Sequence, residues 1–214
     1  EVHSTGVDHT TEGREVAVLF GDGAGAIVVE GNEDPDDPAE ILEVRLHAEG
    51  QHADKLWIEA PGSGFQPTRI THELIDQKRH FPRMQGRLVF KHATRRMPEV
   101  LLEALSAASL KLEDVDHFLF HQANLRINEY VAQQLGIPPE KCPANIDRYG
   151  NCSAASMLQR WPAGRNTSRE PRMPACIASA TSRGARTSCS PYSSSVGTSI
   201  CGSASRRSAS ATAR

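Results

Sequence analysis

The amino-acid pattern of this 214-residue chain breaks at one point, and that break limits what the chain can fold into. Up to Ser156, apolar residues recur at strand or helix spacing; from Met157 onward no such period is sustained. The last 58 residues hold nine Arg, a single Glu, and neither Lys nor Asp, while all nine His lie before them. A formal charge of -2 therefore conceals an acidic first part, with 25 acidic against 15 basic residues, and a strongly basic remainder. Residues 1–156 alone carry the patterning of a packed core, enough for one sizeable domain.

Two readings fit residues 157–214. An Arg/Ser-rich arm can bind nucleic acid, because arginines displace counterions from phosphate. Yet aromatics shrink to Trp161 and Tyr192, and the composition changes inside a stretch that begins as a helix. Out-of-frame translation of a GC-rich gene yields this Arg/Ser/Ala/Pro/Thr mixture and explains the abrupt change, so nucleic-acid binding is not expected. On either reading the tail is expected to be disordered.

The five cysteines, Cys142, Cys152, Cys176, Cys189 and Cys201, are odd in number and irregularly spaced. Without a CxxC or a suitable His pair, neither a disulfide framework nor a metal site is expected. No apolar run approaches the roughly 18 residues of a membrane span. The expectation is a cytoplasmic protein with reduced thiols and no membrane association. Glu1 in place of Met is read as a start inside a longer protein, or as a product of processing.

Along the chain, Val16–Phe20 and Ala26–Glu30 read as strands, and Gly21-Asp22-Gly23-Ala24-Gly25 between them as a tight hairpin or a place of close backbone approach. A phosphate-binding loop is not expected there, because the third glycine is misplaced and a strand follows where that motif needs a helix. Ile41–His47 alternates as a third strand, with Ile41, Glu43 and Arg45 on one side and Leu42, Val44 and Leu46 on the other. Residues 51–83 read as a long excursion with a short strand near Leu56–Ile58. From Gly86 the spacing turns helical through Val89, Phe90, Ala93 and Met97, and Pro98 is placed to open a second helix. His117–Phe120 is a strand ending at His121. Asn124 is the cap of a helix through Gln134 that buries Leu125, Ile127, Tyr130, Val131 and Leu135, closed by Gly136 and Pro138. Alternating strands and helices predict a layered α/β domain.

His121 at a strand end and Asn151 after Gly150 stand where α/β scaffolds place reacting groups. Each can donate one hydrogen bond, so together they could hold an oxyanion. Taken alone, they read more readily as a turn histidine and a helix-capping asparagine. The wording around them is more specific. Leu19-Phe20-Gly21-Asp22-Gly23-Ala24-Gly25-Ala26, the Gly86–Phe90 segment, His121-Gln122-Ala123-Asn124-Leu125-Arg126-Ile127 and Asn145–Ser156 occur in this order. Together they closely resemble the C-terminal half of the β-ketoacyl-acyl-carrier-protein synthase III family, over nearly all of residues 1–156.

That resemblance implies the C-terminal half of a thiolase-like α/β fold. It also implies a decarboxylating Claisen condensation of an acyl-coenzyme A primer with malonyl-acyl-carrier protein in fatty-acid biosynthesis. By likeness, His121 and Asn151 stabilise the enolate formed when malonyl loses carbon dioxide. Gln122, Ala123, Asn124, Leu125 and Arg126 match a carrier-protein docking segment, and Gly86, Phe90 and Asn124 match a wall of the coenzyme A pantetheine tunnel. No cofactor is implied, and a homodimer is expected of the full-length family. No segment matches the family's nucleophile region; Cys152 reads as a packed residue and Cys142 has no evident base. The chain alone is therefore expected to be inactive. A related acyltransferase of secondary metabolism, or a non-catalytic binder of carrier protein or coenzyme A, remains a second reading.

Overall fold

A computed structural model describes residues 1–29, 31, 40–159, 175–178 and 198–202. The N-terminal segment departs from the predicted hairpin. Helix α1 (Arg14–Ala17) is a single turn, Phe20 makes one isolated parallel bridge with Asn151, and Ile27, Val28 and Val29 stand exposed without a ladder. The glycines serve close approach instead. A Cβ on Gly21 would lie 2.0 Å from the Tyr149 carbonyl oxygen, and one on Gly25 2.6 Å from Leu158 Cβ. A strand needs a neighbour to take its N–H and C=O groups, and here the neighbour is a loop whose only paired residue is Asn151.

Strand β1 (Ile41–Leu46) forms as the alternation predicts. β2 (Leu56–Trp57) pairs antiparallel with β3 (Arg83–Met84), and between them lies α2 (His72–Asp76), capped by the Thr71 side chain accepting from Leu74 N–H. The long excursion thus has a ladder and a capped helical turn of its own.

Helix α3 (Gly86–Ala107) is one helix of 22 residues, not two, with Pro98 inside it. Proline there removes a backbone donor at a cost of about 3 kcal/mol. The cost is offset because Ala93, Met97, Pro98, Val100, Leu101, Ala104 and Leu105 are all buried, and each large apolar side chain so buried contributes roughly 1.5–3 kcal/mol. β4 (His117–Phe120) presents Phe118, Leu119 and Phe120 to the interior. Its continuation α4 (Leu125–Leu135) begins at the Asn124 cap, whose side chain accepts from Arg126 N–H at 3.0 Å, and ends on Gly136 at φ 67°. The capping prediction is met, but the predicted buried face is rotated. Ile127, Val131 and Ala132 are buried together with Asn128, while Leu125 and Tyr130 are exposed. The α4 face that meets α3 and β4 thus runs through 127, 128, 131 and 132.

Two more helical turns follow, α5 (Ile146–Tyr149) and α6 (Ala155–Leu158). Beyond them β5 (Ala175–Ala178) pairs parallel to β4, and β6 (Thr198–Gly202) joins β5 to β1 antiparallel, giving the sheet order β1-β6-β5-β4. The sequence reading has no element in that tail; at these two short stretches the backbone is extended and laddered. The rest of the expected disorder in 160–214 lies outside the described residues. Helix α3 lies against β1, β5, β6 and α4. The core gathers Met97, Leu101, Leu105, Val115, Phe118, Phe120, Ile127 and Val131. Among the described residues no helix is long and apolar enough to cross a membrane.

Candidate functional site

His121 and Asn151 line one cavity of about 730 Å³. The expected tunnel residues Gly86, Phe90 and Asn124 line it too, as does Ala123. Strand β4 delivers His121: its three buried residues anchor the strand in the core, and the ring emerges where the ladder stops. Asn151 is held by the glycine segment. Its N–H donates to Leu19 O at 2.8 Å, and its carbonyl accepts from Gly21 N–H at 3.0 Å. Gly150 enters this bridge at φ 67°, and a side chain there would come within 3.2 Å of Leu19 O. The Leu19-Phe20-Gly21 motif therefore does its work 130 residues away, by seating the asparagine.

Both polar side chains have defined settings. Asn151 Oδ1 accepts from Ser153 N–H at 2.9 Å, which leaves the Nδ2 hydrogens as donors. His121 Nδ1 lies 3.0 Å from Ser156 Oγ. Withdrawal of the ring from water pushes its pKa down to about 4, against the weaker opposing pull of the Ser153 carbonyl, so the imidazole is neutral at pH 7. Asn124 caps α4 through Oδ1, as expected, and also lines the cavity.

The expected docking segment divides. Leu125 and Arg126 are exposed at the start of α4. Gln122 is not available to a partner: it is 1% exposed, its Nε2 donates to Phe120 O at 2.9 Å, and its Oε1 accepts from Asn145 N–H at 3.1 Å. It ties the end of β4 to the loop that leads to Asn151. A buried carboxamide with both ends matched is a structural cross-brace. The sequence reading also missed Ser156, whose only local sign is a hydroxyl in a run of small residues that the fold buries.

Neither Cys142 nor Cys152 is set up as a nucleophile. Cys152 is fully buried with its Sγ 3.1 Å from the carbonyl oxygens of Asp22 and Tyr149, and burial, then the Asp22 charge, raises its pKa. Burial, then the Glu140 charge, pushes the Cys142 thiol up to about 12. A reactive thiol needs the opposite shift.

On the cavity wall the fold also gathers Glu49, His52 and His92, whose ligand-type atoms lie within 4.8 Å of one another. No motif spacing foretells this trio, since two members sit in the 49–52 turn and one on α3. Glu49 is ion-paired to Arg96, which holds its carboxyl below the usual range, and Arg96 also bonds Glu99 at 2.6 Å. The carboxylate is thus engaged by a guanidinium that would repel a metal cation.

A family model described as 3-oxoacyl-[acyl-carrier-protein (ACP)] synthase III C terminal matches residues 105–161, and one described as 3-oxoacyl-[acyl-carrier-protein (ACP)] synthase III matches residues 1–50. The β-ketoacyl-[acyl-carrier-protein] synthase III of Roseiflexus sp. (strain RS-1) is 44% identical over 146 residues, covering 67% of this chain and 42% of that protein. The crystal structure of 3-oxoacyl-[acyl-carrier-protein] synthase III from Aquifex aeolicus VF5 superposes with a TM-score of 0.68 at 33% identity, covering 94% of this chain and 55% of that one. The Thermus thermophilus synthase III structure superposes with a TM-score of 0.64 at 28% identity, covering 92% and 55%. The chain spans less than half the length of the curated relatives it matches.

Proposed function

Because the chain belongs to the β-ketoacyl-[acyl-carrier-protein] synthase III family of condensing acyltransferases and carries part of its thiolase-like α/β fold, we propose that the His121–Asn151 wall serves decarboxylating Claisen condensation. The substrate would be the malonyl thioester of acyl-carrier protein. When malonyl loses carbon dioxide, the electron pair of the broken C–C bond passes into an enolate, and negative charge collects on the thioester oxygen. A preorganised donor at that oxygen lowers the barrier because it needs no reorganisation as charge develops. Asn151 Nδ2 is such a donor, and His121 is the titratable group beside it. The observation that carries this reading is that Asn151 lines the cavity with its Oδ1 already satisfied by Ser153 N–H.

Gly86, Phe90 and Asn124 form the wall along which the pantetheine arm of coenzyme A or carrier protein would lie. Leu125 and Arg126, exposed at the start of α4, are the surface offered to an acidic carrier protein. With Cys152 buried, Cys142 half-buried and both thiols held protonated, this chain supplies the enolate-stabilising side, and the acyl-accepting thiol comes from the complementary half of the fold. By itself the chain does not condense. A dimer and the choice between primary and secondary metabolism belong to the complete protein.

The test is release of labelled carbon dioxide from malonyl-acyl-carrier protein by the full chain. Slow decarboxylation is expected, reduced on the order of a hundredfold in Asn151→Ala. Release that ignores this substitution would remove the proposal. In parallel, acetyl-coenzyme A should leave Cys142 and Cys152 unacylated by mass spectrometry.

A further inference from the structure

We infer that Ser156 is a positioning residue that fixes His121 in its Nδ1–H tautomer, so that the ring offers the cavity a lone pair at Nε2. A serine hydroxyl has one proton to give and two lone pairs. Ser156 Oγ lies 2.6 Å from the Ser153 carbonyl oxygen, which can only accept, so the hydroxyl proton is committed there. The backbone N–H of Gln122 donates to Oγ at 3.1 Å and occupies one lone pair. His121 Nδ1 at 3.0 Å then has no proton to accept and must supply its own to the second lone pair. Ser156 is 1% exposed, so water does not reopen the arrangement.

The consequence changes the polarity of the wall. Ser153 sets both members at once: its N–H turns Asn151 so that Nδ2 donates, and its carbonyl takes the Ser156 proton that would otherwise reach Nδ1. The pair is one donor and one acceptor, in place of the two neutral donors expected from sequence. This deepens the proposed condensing function and rests on it for its chemical meaning: an enolate oxygen takes a hydrogen bond from Asn151 directly, and from His121 only after Nε2 has gained a proton.

Long-range proton–nitrogen NMR of the ¹⁵N-labelled full chain at pH 7 tests the assignment. The spectrum of His121→Gln identifies the His121 signals among the nine histidines. The expected wild-type pattern is a protonated Nδ1 and an unprotonated Nε2. Ser156→Ala should shift the ring toward the Nε2–H form, and Ser156→Thr, which keeps the hydroxyl, should hold the wild-type pattern. A wild-type ring protonated at Nε2 alone overturns the tautomer. An unchanged tautomer in folded Ser156→Ala, or in Ser156→Cys should the alanine variant not fold, overturns the role of Ser156. No thioester is present in this measurement, so it fails or stands independently of the decarboxylation assay.

Discussion

Residues 117–156 and the two stretches 27–29 and 41–46 both carry apolar patterning, yet the fold treats them oppositely. In the first region Phe118, Leu119 and Phe120 are almost wholly buried, α4 packs its inner face on α3, and the backbone of Asn151 is clasped by Leu19 and Gly21. In the second, Val28 is 83% exposed, and the apolar side of β1, Leu42, Val44 and Leu46, is open. The more covered side of β1 is polar: Glu43 and Arg45 pair with each other, and Arg45 and His47 reach Glu103 on α3. The difference teaches that alternation sorts residues onto two faces without saying which face is covered. In the first region both the pattern and the covering elements lie among the described residues; in the second, the pattern outruns its cover.

Breaking the first region should have the largest effect. Phe118→Ala removes a ring from the centre of the core, and it is expected to cost about 3–5 kcal/mol in denaturant unfolding. A loss below about 1 kcal/mol would mean that β4 does not anchor the site. The next effect is read with pH. His121 titrates near 4 in the folded chain against 6.5 for a free imidazole. Between those values the unfolded chain binds more protons than the folded one, so stability falls as pH drops. The contribution is fully present above about pH 6.5 and is lost by about pH 4. Its size is on the order of 3 kcal/mol. His121→Gln should flatten that part of the stability profile relative to wild type, while the carboxylate slopes common to both proteins cancel; parallel profiles would refute the buried neutral imidazole. The smallest effect belongs to the second region. Val28→Lys and Val44→Lys should each change stability by less than about 0.5 kcal/mol and lower the binding of a hydrophobic dye. A loss above 1 kcal/mol would show that this surface is covered in solution.

How far the site could be read from the chain depended on distance along it. The ends of helix α4 were legible, because Asn124, Gly136 and Pro138 act on neighbouring residues; its buried face was not. That His121 and Asn151 line one cavity was legible through the wording of two motifs thirty residues apart. Their settings were not. Gln122 reads as a surface residue in a docking motif until Phe120 and Asn145 are seen to saturate it. Gly21 reads as a turn until Tyr149 is found against it. Pro98 reads as a helix start until the buried residues on both sides of it outweigh one lost backbone bond.

What the sequence determined by itself is the set of local choices: an α/β alternation, the caps of α4, the strand that ends on His121, and the family to which the motifs belong. Only the tertiary structure decided which faces are covered, which amides are braces and which are free to donate, and where the histidine keeps its proton. The physical reason is that a hydrogen bond or an apolar contact is a property of two partners. For Ser156, Asn151 and Gly21 the deciding partner lies across a loop or at the far end of the chain, where no local spacing records it.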